Sequence, residues 1–462
     1  MLHVEPATPR GPCQKFAQPH RVIVFTRYPE PGVTKTRLIP ALGPELASRL
    51  QDRLTKRTLA VVQSHCACHP CDLEVRFAGA DCLRMEDHFG LDKHYRPQSD
   101  GDLGTRIIHA LETAFYEGTQ RVLIVGADCP DLTPEILASA LQALEKSDVV
   151  LGPARDGGYY LVGLRQPTPS LFQGIDWGTD QVLNQTLRKA TQHRLTVHRL
   201  KTLADVDYVD DLVALRRRSD DFADLLPRSR NGVISVILPT LNEAASLEQT
   251  LTPIMHLDGV EVIVADCGSV DATVEIARRL GANVVFSSPG RGRQMNAGAA
   301  LASGDVLLFL HADSSLPVDF AMHVRAALNN GAVAGAFRLT IAGKQRTLRF
   351  IEWAISIRSR CLQMPYGDQA IFVASKIFYR VDGFPNWPLM EDVELCRRLR
   401  KHGRIRLATA SVITSSRRWM KLGIVKTTLV NQCCIAGYIL GLSPERLARW
   451  YNRGFGGLDE NV

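Results

Sequence analysis

Acidic residues recur at one kind of place in this chain, just after a short apolar run. The clearest case is Asp305-Val-Leu-Leu-Phe-Leu-His311-Ala-Asp313, followed downstream by Glu391-Asp392. A carboxylate at the end of a buried strand can hold a divalent cation against phosphates, because Mg²⁺ and Mn²⁺ prefer oxygen ligands and share them with substrate. An aspartate there also suits capping of the next helix or the turn before Pro317. Glu391-Asp392 opens a helix after Pro385, Pro388 and Met390, an end that favours acids on electrostatic grounds alone. Tyr366-Gly367-Asp368-Gln369 reads as a ligand-side loop or as a tight turn before a strand at 370–374.

The first half carries its own set. Arg27-Tyr-Pro-Glu-Pro-Gly32-Val-Thr-Lys35-Thr-Arg37 is a broken turn with two cations near its end. Exposed amides and cations after a first strand can cradle phosphates, or form a solvated basic loop. The Gly-Lys-Ser/Thr order of a Walker A loop is absent. Asp128 follows the apolar run 121–126, and Asp156 precedes the pair Gly157-Gly158, where a backbone can approach a ligand closely. His65-Cys-Ala-Cys68-His69-Pro-Cys71 has zinc-type ligands but no finger spacing, which favours a helix end with local thiols.

These residues need elements to position them. Apolar runs at 22–26, 121–126, 149–151, 233–238, 260–265, 283–287 and 305–310 read as strands buried on both faces. Amphipathic stretches at 44–63 and 101–116 read as helices, and Thr133-Pro134 starts another with a threonine cap. Ser269 suits the cap of the helix after Asp266, and Gly290-Arg291-Gly-Arg293 opens the next one at an anion-friendly N-terminus. Alternating strand and helix predicts an α/β fold with mainly parallel sheets flanked by helices.

At 462 residues the chain exceeds one usual domain. It divides into a lead-in at 1–20 that reads as disordered, a domain at 21–218, a linker at 219–232 and a domain at 233–462. Composition is that of a soluble globular protein, with 45% hydrophobic and 22% charged residues. The net charge of +7 suits anionic small substrates or a membrane surface. No basic stripe with interleaved aromatics supports nucleic-acid binding. The start lacks a signal-peptide pattern, so a cytoplasmic location with reduced thiols is expected. The apolar stretch 422–442 is interrupted by Lys426, Asn431 and Gln432, which predicts a buried or surface-lying helix rather than a span.

Five motifs of the first half stand in order: Pro-Gly-Val-Thr-Lys-Thr-Arg-Leu, Gly-Ala-Asp-Cys-Pro-Asp-Leu, Gly-Pro-Ala-Arg-Asp-Gly-Gly-Tyr-Tyr-Leu, Ile-Asp-Trp-Gly-Thr-Asp and Leu-Ala-Asp-Val-Asp. Residues 21–216 thereby resemble the radical-SAM/selenodomain-associated transferase 1 family, which is similar to nucleotidyltransferases of GT-A-like fold. The resemblance implies that Lys35 and Arg37 hold nucleotide phosphates, that Asp128 holds the metal, and that Asp156 stands near the ligand. Nucleotidyl transfer and sugar transfer both stay open for this half.

The second half shows Pro-Thr-Leu-Asn-Glu, Arg-Gly-Arg-Gln-Met-Asn-Ala-Gly, Leu-Phe-Leu-His-Ala-Asp, Pro-Tyr-Gly-Asp-Gln, Pro-Leu-Met-Glu-Asp-Val-Glu-Leu and Ser-Ser-Arg-Arg-Trp. Residues 233–453 resemble the inverting family 2 glycosyltransferases, and more narrowly the radical-SAM/selenodomain-associated transferase 2 family. The expectation is two GT-A-like domains and a bifunctional transferase, with an association to arsenosugar biosynthesis. The resemblance implies that Pro239, Asn242, Glu243 and Asp266 line the nucleoside pocket and that Arg293 lies near the diphosphate. Asp313 and His311 would form the metal site for Mg²⁺ or Mn²⁺, with His311 where the family usually has a first acid. Asp392, with Glu391 second, would act as the base, and Asp368 and Gln369 would sit near the acceptor. Arg418 and Trp419 resemble the Arg-Trp motif that closes over the diphosphate, though Ser415 replaces its usual glutamine. The implied partners are a nucleotide-sugar donor and a small-molecule or lipid acceptor, the latter with peripheral membrane contact.

Overall fold

The computed structural model of the chain describes residues 16, 18–216, 222, 224–343, 345–415 and 424–454. Most of the expected lead-in, residues 219–221 and 223 of the expected linker, and Arg417, Arg418 and Trp419 lie outside that set. Two compact units result. One takes residues up to 34 together with 48–205, the other 35–47 together with 206 onward.

The first unit is built on β1 (His20–Arg27), β2 (Cys71–Ala78), β3 (His94–Pro97), β4 (Arg121–Gly126), β5 (Val149–Pro153), β6 (Tyr159–Leu164) and β7 (Val197–Arg199). The sheet order is β3-β2-β1-β4-β6-β5-β7. Only β6 runs against its neighbours. Side chains alternate across the strands, so Val22 and Val24 face one core while Ile23 faces another. The helix Pro134–Ala143 covers the first face with Leu137 and Leu141, and the helix Leu103–Tyr116 covers the second with Ile107 and Leu111. This is the layer arrangement that buried parallel strands require. Thr133 stands at the expected N-cap, but its hydroxyl makes no cap hydrogen bond and engages Glu135 instead.

The second unit uses β8 (Arg230–Thr240), β9 (Val260–Asp266), β10 (Asn283–Phe286), β11 (Gly304–Phe309), β12 (Ser314–Ser315), β13 (Ala332–Ile341), β14 (Phe372–Ala374) and β15 (Arg404–Thr414). Its order is β10-β9-β8-β11-β14-β13-β15-β12. Set aside the two-residue β12, and the order and directions repeat those of the first unit strand for strand. The α/β reading with mainly parallel sheets therefore holds in both units. In each, the central β1 or β8 and the adjacent β4 or β11 run parallel, so the residues after β4 and β11 emerge at the carboxyl edge where open α/β sheets bind ligands. In the second unit Gly298 lets the helix Arg291–Leu301 lie directly on β8, because a Cβ there would collide with Ile237.

Candidate functional site

The helix Glu391–Leu399 presents the two acids. Met390 just before it takes left-handed backbone, φ 69° and ψ 19°. That conformation is costly for a residue with a Cβ and clusters at functional sites. It sets Glu391 and Asp392 in the first helical turn, where negative charge is favoured. Asp392 Oδ2 accepts from the Gly367 N–H at 2.7 Å. His311 reaches the same spot: a Cβ built on Gly367 would lie 3.1 Å from His311 Nε2 and 3.6 Å from Asp392 Oδ2. Arg291, His311, Asp368, Glu391 and Asp392 line one pocket, walled also by Tyr451.

Glu391 and Asp392 are not equivalent. Glu391 is only 6% exposed. Burial, and then the Asp392 charge beside it, push its carboxyl up to about 7, with Arg291 opposing. Below that pH Glu391 is neutral and adds no second charge to the pocket.

The loop carrying Gly367 is held from behind. Gln369 is fully buried. Its Oε1 accepts from Ser359 Oγ at 2.9 Å and Tyr366 N at 3.2 Å, and its Nε2 donates to Phe337 O at 3.1 Å. Gln369 thus positions the loop, while Asp368 faces the pocket. Asn296 does the same for the chain before Met390, pairing its amide with both Phe384 O at 2.8 Å and Phe384 N at 2.9 Å.

Asp313 opens elsewhere. A turn closed by Ser314 N to His311 O, 3.1 Å, separates it from His311. It lines a second pocket with Ser246, Thr250, Ser315 and Thr414. His311 lines the Asp392 pocket and Asp313 lines this one. The lining around Asp313 offers oxygen donors, the chemistry that suits Mg²⁺ or Mn²⁺. No group of three or more His, Cys, Asp or Glu able to hold a metal occurs among the described residues, the cysteine stretch near Cys66 included. A cation at Asp313 would take its remaining ligands from water and substrate phosphate, as Mg²⁺ commonly does.

The residues expected around the nucleoside cluster at the ends of β8 and β9. Pro239 pairs with Ala265 in the sheet. Asn242, at φ 56°, accepts from Val270 N at 2.9 Å, and its own N–H donates to Ser269 Oγ at 2.8 Å. Glu243 accepts from Ser246 Oγ at 2.8 Å. Asp266 is fully buried and turned inward. It accepts from Gly268 N at 2.8 Å, Ser269 N at 2.9 Å, Ser269 Oγ at 2.5 Å and Thr240 Oγ1 at 3.1 Å. Ser269 is thereby spent on Asp266, and Asp271 rather than Ser269 accepts from the Thr273 N–H that starts the next helix, at 3.0 Å. Arg293 donates to Asn386 Oδ1 at 2.8 Å. Arg291, two positions earlier, is the arginine that lines the Asp392 pocket.

In the first unit Asp128 follows β4 by two residues, as His311 follows β11. Asp156 Oδ1 accepts from Gly158 N at 2.8 Å in the turn before β6. Lys35 and Arg37 group with the second unit. Lys35 Nζ donates to Asp207 Oδ1 at 2.9 Å and Val206 O at 2.6 Å, and the Arg37 guanidinium stacks on Tyr208 at 4.8 Å.

The sequence places Tyr366 and Gly367 in a ligand-side loop and Arg291 at an anion-friendly N-terminus, but it assigns Met390 no part in the site. The Arg-Gly-Arg spacing did carry the signal for Arg291, since residues two apart on a helix point to different sides. Nothing local flags the left-handed Met390.

A family profile described as an uncharacterized protein conserved in bacteria, DUF2064, matches residues 59–179. The glycosyl transferase family 2 profile matches residues 235–386. An uncharacterized glycosyltransferase of Mycobacterium tuberculosis H37Rv is 31% identical over 121 residues, 26% of this chain and 52% of that protein. The glucosyl-3-phosphoglycerate synthase of the same strain is 39% identical over 92 residues, 17% of this chain and 28% of the synthase. The chain thus spans about half the length, or less, of these curated relatives. A crystal structure of a candidate nucleotide-diphospho-sugar transferase from Desulfovibrio desulfuricans G20 is 34% identical, with a TM-score of 0.41, over 44% of this chain and 88% of that one. With these matches, the chain joins a DUF2064 domain to a glycosyl transferase family 2 domain.

Proposed function

We propose that the second unit moves a sugar from a nucleotide-diphosphate donor to a hydroxyl acceptor, with inversion, and that Asp392 is the base. The observation that carries this reading is the Asp392 carboxylate held at 2.7 Å by Gly367 N–H in a pocket shared with His311 and Asp368. In this reading Asp392 takes the proton of the acceptor hydroxyl while that oxygen bonds to the anomeric carbon. The bond from that carbon to the diphosphate breaks, and the nucleoside diphosphate leaves with the electron pair. His311 and Asp368 face the acceptor, and Gln369 holds the loop that aims Asp392. Asp313 would hold Mg²⁺ or Mn²⁺, which when bound offsets the charge growing on the diphosphate. The M. tuberculosis glucosyl-3-phosphoglycerate synthase has been crystallised with Mn²⁺, UDP-glucose and phosphoglyceric acid, which supports a divalent cation and a nucleotide-sugar donor here.

For the first unit we propose a nucleotide-binding transferase with Asp128 at the metal position and Asp156 beside the ligand. The repeated strand order, which sets Asp128 after β4 as His311-Ala-Asp313 follows β11, supports it. A nucleotidyl transfer would release pyrophosphate from a nucleoside triphosphate, whereas sugar transfer would not. The test screens the full chain for hydrolysis of nucleotide sugars and for pyrophosphate release, with Asp313→Ala and Asp128→Ala beside the parent. Asp313→Ala should lose Mn²⁺-dependent nucleotide-sugar turnover, and Asp128→Ala should leave that turnover in place. Full Mn²⁺-dependent turnover in Asp313→Ala would remove the metal assignment.

A further inference from the structure

We propose that the outer face of the helix Arg346–Cys361 docks on an anionic lipid surface, and that this surface carries the acceptor of the Asp392 pocket. The docking claim stands on its own, and the acceptor claim rests on the transfer reading above. This helix connects β13 to the Tyr366–Gln369 loop. Its inner face buries Leu348 and Ile351 in the core, with Ile355 packed against them. Its outer face is apolar too. Phe350, Trp353 and Ile357 are 66%, 59% and 42% exposed. Their spacing puts them on one side of the helix. The Phe350 and Trp353 rings lie 5.7 Å apart, so the patch is preformed. A contiguous exposed patch of this kind marks an interaction surface.

Charge selects the occupant. The helix carries four arginines against one glutamate. That glutamate, Glu352, is already taken by Arg349 at 2.9 Å and by Ile341 N at 2.6 Å. A second copy of the same face would bring like charges together. Arg349 is shared with Glu352 and Arg358 lies on Tyr366, so among the described residues the exposed Arg360 is the cation that stands beside the aromatic patch, and anionic headgroups above an acyl interior match the two together. Trp and Phe are the side chains that settle at such an interface. No helix among the described residues is long and apolar enough to cross a membrane, so the contact would lie in the interface plane.

The face is wired to the pocket. Arg358 stacks on Tyr366 at 3.3 Å, and Ser359 Oγ donates to Gln369 at 2.9 Å. Tyr366 lines the pocket that holds Asp392. A second helix bordering that pocket, Pro444–Gly454, also exposes a tryptophan, Trp450, beside Arg446 and Arg449. A lipid-borne hydroxyl could therefore be delivered next to the base without leaving the bilayer.

The test is co-sedimentation of the full chain with phosphatidylcholine vesicles, with and without phosphatidylglycerol, using the parent and the double variant Phe350→Ser/Trp353→Ser. The parent should bind the phosphatidylglycerol vesicles, more weakly in high salt. The variant should bind them about tenfold less or worse, from the apolar area it withholds. Both positions are exposed, so thermal melting should be unchanged. Equal binding by the variant, no binding by the parent, or a parent dimer that the variant abolishes would overturn the docking claim. Hydrolysis of a soluble nucleotide sugar should be the same in parent and variant. Its absence from the parent would sink the transfer reading and leave the vesicle result intact.

Discussion

Asp392 and Glu391 are adjacent, yet their surroundings divide them. Glu391 is buried and pushed up to about 7, so it charges as pH rises through neutrality. In the transfer reading the anomeric carbon and its diphosphate lie beside Asp392, so a new negative charge on the adjacent Glu391 should weaken binding of the anionic donor above that pH. We expect the KM for a nucleotide sugar to rise across this range in the parent and to stay level in Glu391→Gln, as read from pH profiles of both. The same shift works on stability. A carboxyl raised in the folded state favours folding fully below its unfolded value near 4.5 and loses that favour as pH climbs towards 7. Glu391→Gln should therefore melt higher than the parent above pH 7. The types of residue in the site were legible in sequence, but their directions were not. His311 lines the Asp392 pocket, while Asp313, two residues on past a turn, lines the one with Ser246 and Thr414. Asp266 reads as a ligand contact, while its carboxylate accepts four hydrogen bonds from its own turn and from Thr240.

At the scale of elements, the helix that carries Asp392 is tied down by Glu394, two residues on. Burial works against its charged form, but Arg397, Arg398 and Tyr438 prevail and hold its carboxyl down at about 2. Tyr438 donates to it at 2.7 Å from the helix Ile424–Ile439. Sign follows from the depressed value: the contribution is present above the unfolded pKa near 4.5 and is lost as pH falls towards 2. Glu394→Gln should flatten the acid limb of the stability profile in that window, measured by melting against pH. Buried parallel strands with continuous apolar runs are legible, as at 121–126 and 260–266, whereas β2, β13 and β15, whose apolar residues are interrupted by polar ones, are not. Thr133 holds the N-cap position the sequence marks, but cap hydrogen bonds are not legible. Thr133 and Ser269 have the right chemistry for a cap, but each hydroxyl finds a nearer carboxylate.

Over the whole molecule, one topology is used twice, and in its second use the connection from β14 to β15 carries the helix Glu391–Leu399 with its paired acids. Alternation of strand and helix makes the α/β class legible, but the antiparallel strand inside each sheet, β6 or β14, leaves no local mark in the sequence. Nor does the buried ion network of the first unit, where fully buried Arg21 meets Glu74 at 2.9 Å and Glu117 at 2.7 Å. Arg76 also contacts Glu74, and Arg96 reaches Glu117 at 2.9 Å. Removing one partner would strand buried cations, so Glu74→Ala should destabilise this unit by about 3 kcal/mol or more in denaturant unfolding. The central claim is that Asp392 takes the acceptor proton in a sugar transfer. It is tested most directly by single-turnover transfer and donor binding in parent and Asp392→Asn. The account predicts a loss of about 10²-fold or more in the transfer rate with donor affinity within a few fold of the parent. An unchanged rate, or a loss explained wholly by weaker donor binding, would contradict it.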